Sequence, residues 1–160
     1  MKIFIVGNIA SGKTTLSNEL SNYLELPLFH IDEIVHDDIN NIKRTEEEQI
    51  KIINDINRNN KEWIIEGVPR NNLDILCNIS ETIIFLDYDK DTLIKRLKKR
   101  HKKDKLKYDV TLEEEINWID TFNYEKIYEQ LKKHIRKGII IKNDKELKKY
   151  MESIYESYKY

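Results

Sequence analysis

The chain has 160 residues, 36% of them charged, and a formal net charge of −1. That length supports one domain able to bury about 70% of the surface its unfolded form exposes. The charge balance excludes an overall basic field that would draw it to nucleic acid or membranes, and the single Cys77 excludes an internal disulfide framework and fits a reducing compartment.

A strand-like run from Lys2 leaves no room for a signal peptide, and no apolar stretch approaches ~18 residues. A cytoplasmic protein with no membrane partner is therefore expected. Residues 3–6 are fully apolar and end at Gly7, the pattern of a buried central strand. Leu16, Leu20, Tyr23 and Leu24 recur at helical spacing and predict a first helix from near Lys13. Residues 26–30 read as a second strand. Thr45 followed by Glu48 is a capping box, and it predicts a helix with Ile50, Ile53 and Ile56 on its inner face. Residues 63–65 predict a third strand and residues 82–86 a fourth. Asp91 is the expected cap of the next helix, which carries Leu93, Ile94 and Leu97. Thr111 and Glu114 form another capping box and open a long helical stretch, broken near Asn123. Residues 138–141 predict a fifth strand. Leu147, Tyr150, Met151, Ile154, Tyr155 and Tyr158 form the core stripe of a closing helix.

Short apolar strands alternating with helices define an α/β class, here a three-layer fold with a five-stranded parallel sheet covered on both faces. One domain over residues 1–160 is expected. Ligands of such sheets bind beyond the carboxyl ends of the strands, so the residues just after each strand carry the chemistry.

After the first strand comes Gly7-Asn8-Ile9-Ala10-Ser11-Gly12-Lys13-Thr14. The glycines permit backbone angles that let successive N–H groups converge, and the helix that follows adds its partial positive end. Gly-x-x-x-x-Gly-Lys-Thr between strand and helix predicts a phosphate-binding P-loop. Lys13 then reaches the β- and γ-phosphates of ATP, Thr14 binds Mg²⁺, and Thr15 meets the α-phosphate. The third strand ends in Glu66-Gly67 and the fifth in Lys142-Asn143-Asp144, neither of which fits a G protein. No transporter-type signature is present and the chain is short for an assembly ATPase, which leaves a small kinase.

Asp32 and Glu66 stand where strands two and three end. A carboxylate there can hold Mg²⁺ through water or accept a proton from an attacking hydroxyl. Asp32 is the base if the acceptor is a hydroxyl and part of the metal shell if it is a phosphate. His30 either binds substrate or is simply packed. Arg70 offers a planar fork of donors to an anionic group, and Arg96 and Arg100 lie one helical turn apart on a shared face. Residues 95–107 hold nine Lys or Arg against one Asp, which reads as a solvated basic helix or as a short lid near 100–112.

Gly67-Val68-Pro69-Arg70 after Glu66, with Arg96 and Arg100 after the fourth strand, resembles adenylate kinases. The whole layout, including His30-Ile31-Asp32, resembles the adenylate-kinase-like bacterial proteins called topology-modulation proteins, over nearly the full chain. The resemblance implies a P-loop kinase fold and a phosphotransferase moving the γ-phosphate of Mg-ATP to a nucleotide, nucleoside or small hydroxylated metabolite. It implies that Lys13, Arg96, Arg100 and Asp32 are catalytic, with Arg96 and Arg100 touching the ATP phosphates. His30, Asp32, Glu66, Gly67 and Arg70 would face the acceptor. Shikimate kinases carry Asp-x-Asp at the second strand; here His30 replaces the first Asp. Residues 113–120 carry no arginine where adenylate kinases have them, and residues 33–45 offer Lys43 and Arg44 as anion ligands. Trp118 either packs or lines the acceptor cleft. An alternative reading is a nucleotide-gated binding protein with weak ATPase activity, closing on a macromolecule such as DNA. On the kinase reading the partners are ATP and a small acceptor, nucleic acid is not expected, and the chain is a monomer or homodimer.

Overall fold

The computed structural model describes residues 1–104 and 109–159. In chain order the first elements are β1 (Lys2–Gly7), α1 (Lys13–Leu24), β2 (Leu28–His30), α2 (Ile31–Val35), β3 (His36–Asp37) and β4 (Ile42–Lys43). Next come α3 (Glu46–Asn59), β5 (Trp63–Gly67), α4 (Leu73–Ile79), β6 (Thr82–Leu86) and α5 (Lys90–Lys103). α6 (Leu112–Thr121), α7 (Tyr124–Lys133), β7 (Gly138–Ile141) and α8 (Asp144–Ser157) complete the chain.

β1 sends alternate side chains to two cores. Ile3 and Ile5 enter one with Leu16, Leu20 and Leu93, while Phe4 and Val6 enter the other with Trp63, Phe85 and Ile53. A strand apolar on both faces is stable only inside a sheet covered on both sides. Among the described residues that sheet is five-stranded, in the order β2-β5-β1-β6-β7, with every pairing parallel. The expected α/β architecture is therefore observed. β5 and β6 flank β1 in the sheet; the chain leaves β1 through α1 over one face and reaches β5 and β6 through α3 and α4 over the other. The carboxyl end of β1 is thus the switch point where such sheets bind ligands.

Several helix starts follow side-chain caps. Thr45 and Thr111 each complete a capping box, and Asn123 caps α7 after the expected break. Asp91 does not cap α5, as the sequence suggested. The Asp89 carboxylate accepts from the Thr92 N–H at 2.8 Å, and Asp91 falls inside the first turn. β5 runs two residues past the expected strand, which draws Glu66 into the sheet at 6% exposure.

Three features were not foreseen: α2, α4 and the small antiparallel pair β3–β4. Arg44 is not held out for an anion. It donates to the carbonyls of Glu33 at 2.7 Å and His36 at 2.9 Å, satisfying the end of α2. Lys43 lies exposed in β4. No helix among the described residues is long and apolar enough to cross a membrane.

Candidate active site

The phosphate loop leaves β1 at Gly7. A Cβ there would stand 2.5 Å from Ser11 Oγ and 3.0 Å from the Leu86 carbonyl oxygen, so the loop folds back only over a glycine. Ala10 (φ 60) and Gly12 (φ 92) take left-handed backbone angles, which turn consecutive N–H groups to one side. The Ser11 N–H closes the turn on the Asn8 carbonyl at 3.2 Å. α1 then starts with no side-chain cap and no acid in its first turn. Side chains cap α3, α5, α6, α7 and α8. The uncapped start of α1 leaves first-turn donors and the positive end of the helix for an anion.

Lys13 is half-buried, and its Nζ donates to the Asn8 carbonyl at 2.8 Å. Burial lowers its pKa to about 8, against the carboxylates of Glu66 and Asp32, which hold it up, while Arg100 adds to the lowering. The same four groups line one cleft of about 810 Å³ with Thr14, Thr15, Gly67 and Arg70. Asp32 and Arg70 are exposed, whereas Glu66 is buried at the end of β5 and its Oε1 meets His30 Nδ1 at 2.5 Å.

Several expected site residues lie just outside this cleft. His30 is turned onto Glu66, and Gly7 and Ser11 form the buried underside of the loop. Arg96 donates to the Ala10 carbonyl at 3.2 Å and to Asp144 at 2.9 Å, and its guanidinium lies 4.3 Å from the Tyr88 ring centre. It braces the loop from outside. Of the expected lid near 100–112, residues 105–108, including Lys105 and Lys107, lie outside the described residues; Arg100, Lys102 and Lys103 form the last turn of α5.

The far wall of the cleft is the elbow between α6 and α7, with Trp118, Thr121, Phe122, Asn123 and Lys126. Trp118 is 47% exposed, so its ring is available rather than packed away. Lys126 supplies a cation that residues 113–120 lack. Sequence reasoning missed it because nothing in the pattern separates it from Lys132 and Lys133. The one available signal was the Asn123 cap, which fixes Lys126 in the first turn of α7.

The donor set fits Mg-ATP. Loop amides and Lys13 suit phosphates, and the exposed Thr14 hydroxyl, with Asp32 and Glu66 in the same cleft, suits a hydrated hard cation.

A family model described as an AAA domain matches residues 3–118, from β1 to near the end of α6. No curated protein matches the chain. The fold is shared with small P-loop kinases of known structure. The shikimate kinase of Aquifex aeolicus vf5 is 19% identical with a TM-score of 0.59, covering 98% of this chain and 98% of its own. A deoxyadenosine kinase of M. mycoides with bound dATP is 19% identical with a TM-score of 0.57, covering 96% and 99%. The shikimate kinase of Bacteroides thetaiotaomicron is 17% identical with a TM-score of 0.56, covering 98% and 97%.

Proposed function

The chain belongs to the AAA domain family, and from that premise we propose that it is an ATP- and Mg²⁺-dependent phosphotransferase acting on a small acceptor. The observation that carries this reading is the convergence of Lys13, Asp32, Glu66, Arg70, Arg100 and Lys126 on one cleft. Triphosphate-binding donors stand on one side of it, and a mixed-charge, partly aromatic wall stands on the other. A bound Mg²⁺ would draw charge off the phosphates, held by Thr14 directly and by Asp32 and Glu66 through water.

Lys13 and the loop amides bind and orient the triphosphate. Arg100 neutralises charge on the group in transit, in the manner of adenylate kinases, and Arg96 steadies the loop from outside the cleft. Arg70 grips an anionic group of the acceptor. Asp32 orients or deprotonates an acceptor hydroxyl. The acceptor is a nucleotide, nucleoside or hydroxylated metabolite. Residues 113–120 carry no arginine, and Lys126 in the cleft wall supplies a cation to that side of the site, which supports transfer over a nucleotide-gated binding role.

Adding acceptors to Mg-ATP one class at a time tests the reading. One class should raise ADP release above the rate with water alone. Equal rates across nucleoside monophosphates, nucleosides and hydroxylated metabolites would overturn it in favour of the gated binder. With the acceptor so found, Arg70→Ala should raise the acceptor KM about 10- to 100-fold, the cost of a lost charged hydrogen bond. The KM for ATP should stay within about twofold, since Arg70 lies on the acceptor side. A change confined to ATP would contradict the assignment.

Lys13 also sets a pH dependence. In the empty protein its ammonium loses its proton near pH 8, whereas a bound triphosphate restores the charge. Binding of Mg-ATP at pH 9 should therefore take up a proton, and affinity should fall as pH rises above about 8. Calorimetry in buffers of different ionisation heat reads the uptake. An affinity flat from pH 7 to 9.5 would place Lys13 elsewhere.

A further inference from the structure

Asn8 is the second residue of the phosphate loop, yet its side chain is 3% exposed and fully engaged elsewhere. Its Nδ2 donates to the Ile119 carbonyl at 2.9 Å and to the Tyr124 hydroxyl at 2.9 Å, while its Oδ1 accepts from the Ile9 N–H at 2.7 Å. Ile119 lies near the end of α6 and Tyr124 is the first residue of α7. One loop side chain thus holds both sides of the elbow that carries Trp118, Asn123 and Lys126. The elbow also rests on Phe85 through Phe122 and Tyr124, with ring centres 6.2 Å away in each case. Those contacts anchor it to the sheet but not to the loop.

We propose that Asn8 is a positioning residue: its carboxamide ties the α6–α7 wall of the acceptor cleft to the phosphate loop, so the order of that wall follows the state of the loop. The proposal rests on the kinase reading above, because it takes the wall to be the acceptor side. Both Nδ2 hydrogens are used; the bond to the Ile119 carbonyl is buried and the bond to the Tyr124 hydroxyl half-buried, so leaving either partner unpaired is costly. The Asn8 carbonyl meanwhile accepts from Lys13 Nζ. A phosphate that engages Lys13 therefore acts on the same residue that holds the elbow. Asn8 needs no ligand contact of its own to affect acceptor binding.

Asn8→Ala deletes the tie from the loop side, and Tyr124→Phe removes only the hydroxyl from the elbow side. In the ligand-free protein, both should speed backbone amide exchange across residues 116–127 about fivefold or more, with β1 and β6 unchanged. The second readout is Trp118 emission on adding Mg²⁺ and a non-hydrolysable ATP analogue, with Trp118→Phe separating its signal from that of the buried Trp63. Wild type should respond. In Tyr124→Phe the analogue should bind within about threefold of wild-type affinity, and in both variants the Trp118 response per bound nucleotide should fall by about half or more. A purely structural role would lower stability but leave the response per bound nucleotide intact. Unchanged exchange in the variants, or an undiminished Trp118 response with nucleotide bound, overturns the proposal. If Asn8→Ala does not fold, Tyr124→Phe alone decides both readouts. If the analogue fails to bind wild type, it is the kinase reading that falls, and exchange still decides whether Asn8 ties the elbow.

Discussion

Lys13→Ala is expected to lower phosphoryl transfer about 10²- to 10³-fold, the scale of losing one preorganised donor to transition-state charge, without lowering the melting temperature of the empty protein at pH 7. The second half of that expectation comes from burial. The half-buried ammonium keeps its charge at a cost, which shows as a pKa lowered to about 8. The folded-state value lies below the unfolded one, so between pH 8 and the ordinary lysine range the unfolded chain binds the extra proton. Wild-type stability should rise with pH across that window, and its deficit against Lys13→Ala should shrink there. Thermal melts at pH 7 and pH 10, run beside turnover assays, check both parts. A variant that melts far below wild type would mean Lys13 holds the loop together rather than waiting for phosphate.

Gly67→Ala is expected to destabilise the fold by about 2–4 kcal/mol, combining left-handed backbone strain with overpacking. Gly67 has φ +149, and a Cβ on it would stand 2.7 Å from the Cβ of Ile31. Ile31 is 0% exposed and opens α2, so it has no free direction of retreat. Relief must shift α2, which carries Asp32, relative to the end of β5, which carries Glu66. Activity should therefore fall further than the loss of folded protein explains. Denaturant unfolding and specific activity at a temperature where the variant is fully folded separate the two effects. A change under about 1 kcal/mol would show that α2 yields easily and that the Glu66–Asp32 spacing is not fixed by this contact.

The parts of the fold written in local pattern were legible in advance. β1, β5 and β6 are short runs buried on both faces, which leaves no alternative period, and Thr45 and Thr111 announce their helices through hydroxyl and carboxylate at fixed offsets. α2 and the β3–β4 pair were not legible. Five and two residues are too short to display a period, and their stability comes from Arg44 reaching back to three carbonyls. The same division runs through the site. The phosphate loop could be read because its chemistry is consecutive in sequence, and Asp32, Glu66, Gly67, Arg70 and Arg100 because strand ends and helical spacing place them. Trp118 and Lys126 reach the cleft only through the angle between α6 and α7, a tertiary fact. Asn8 looked like one more loop amide; that its side chain holds Ile119 and Tyr124, over a hundred residues away, depends on how the last helices pack.

The most direct measurement follows the γ-phosphate itself. Mg-ATP labelled at that position is mixed with the acceptor that raises ADP release, and label is counted in acceptor and in inorganic phosphate for wild type and Lys13→Ala. Wild type should place label on the acceptor, and the variant almost none in either pool. Label appearing only as inorganic phosphate, or transfer that survives the loss of Lys13, would contradict the kinase reading.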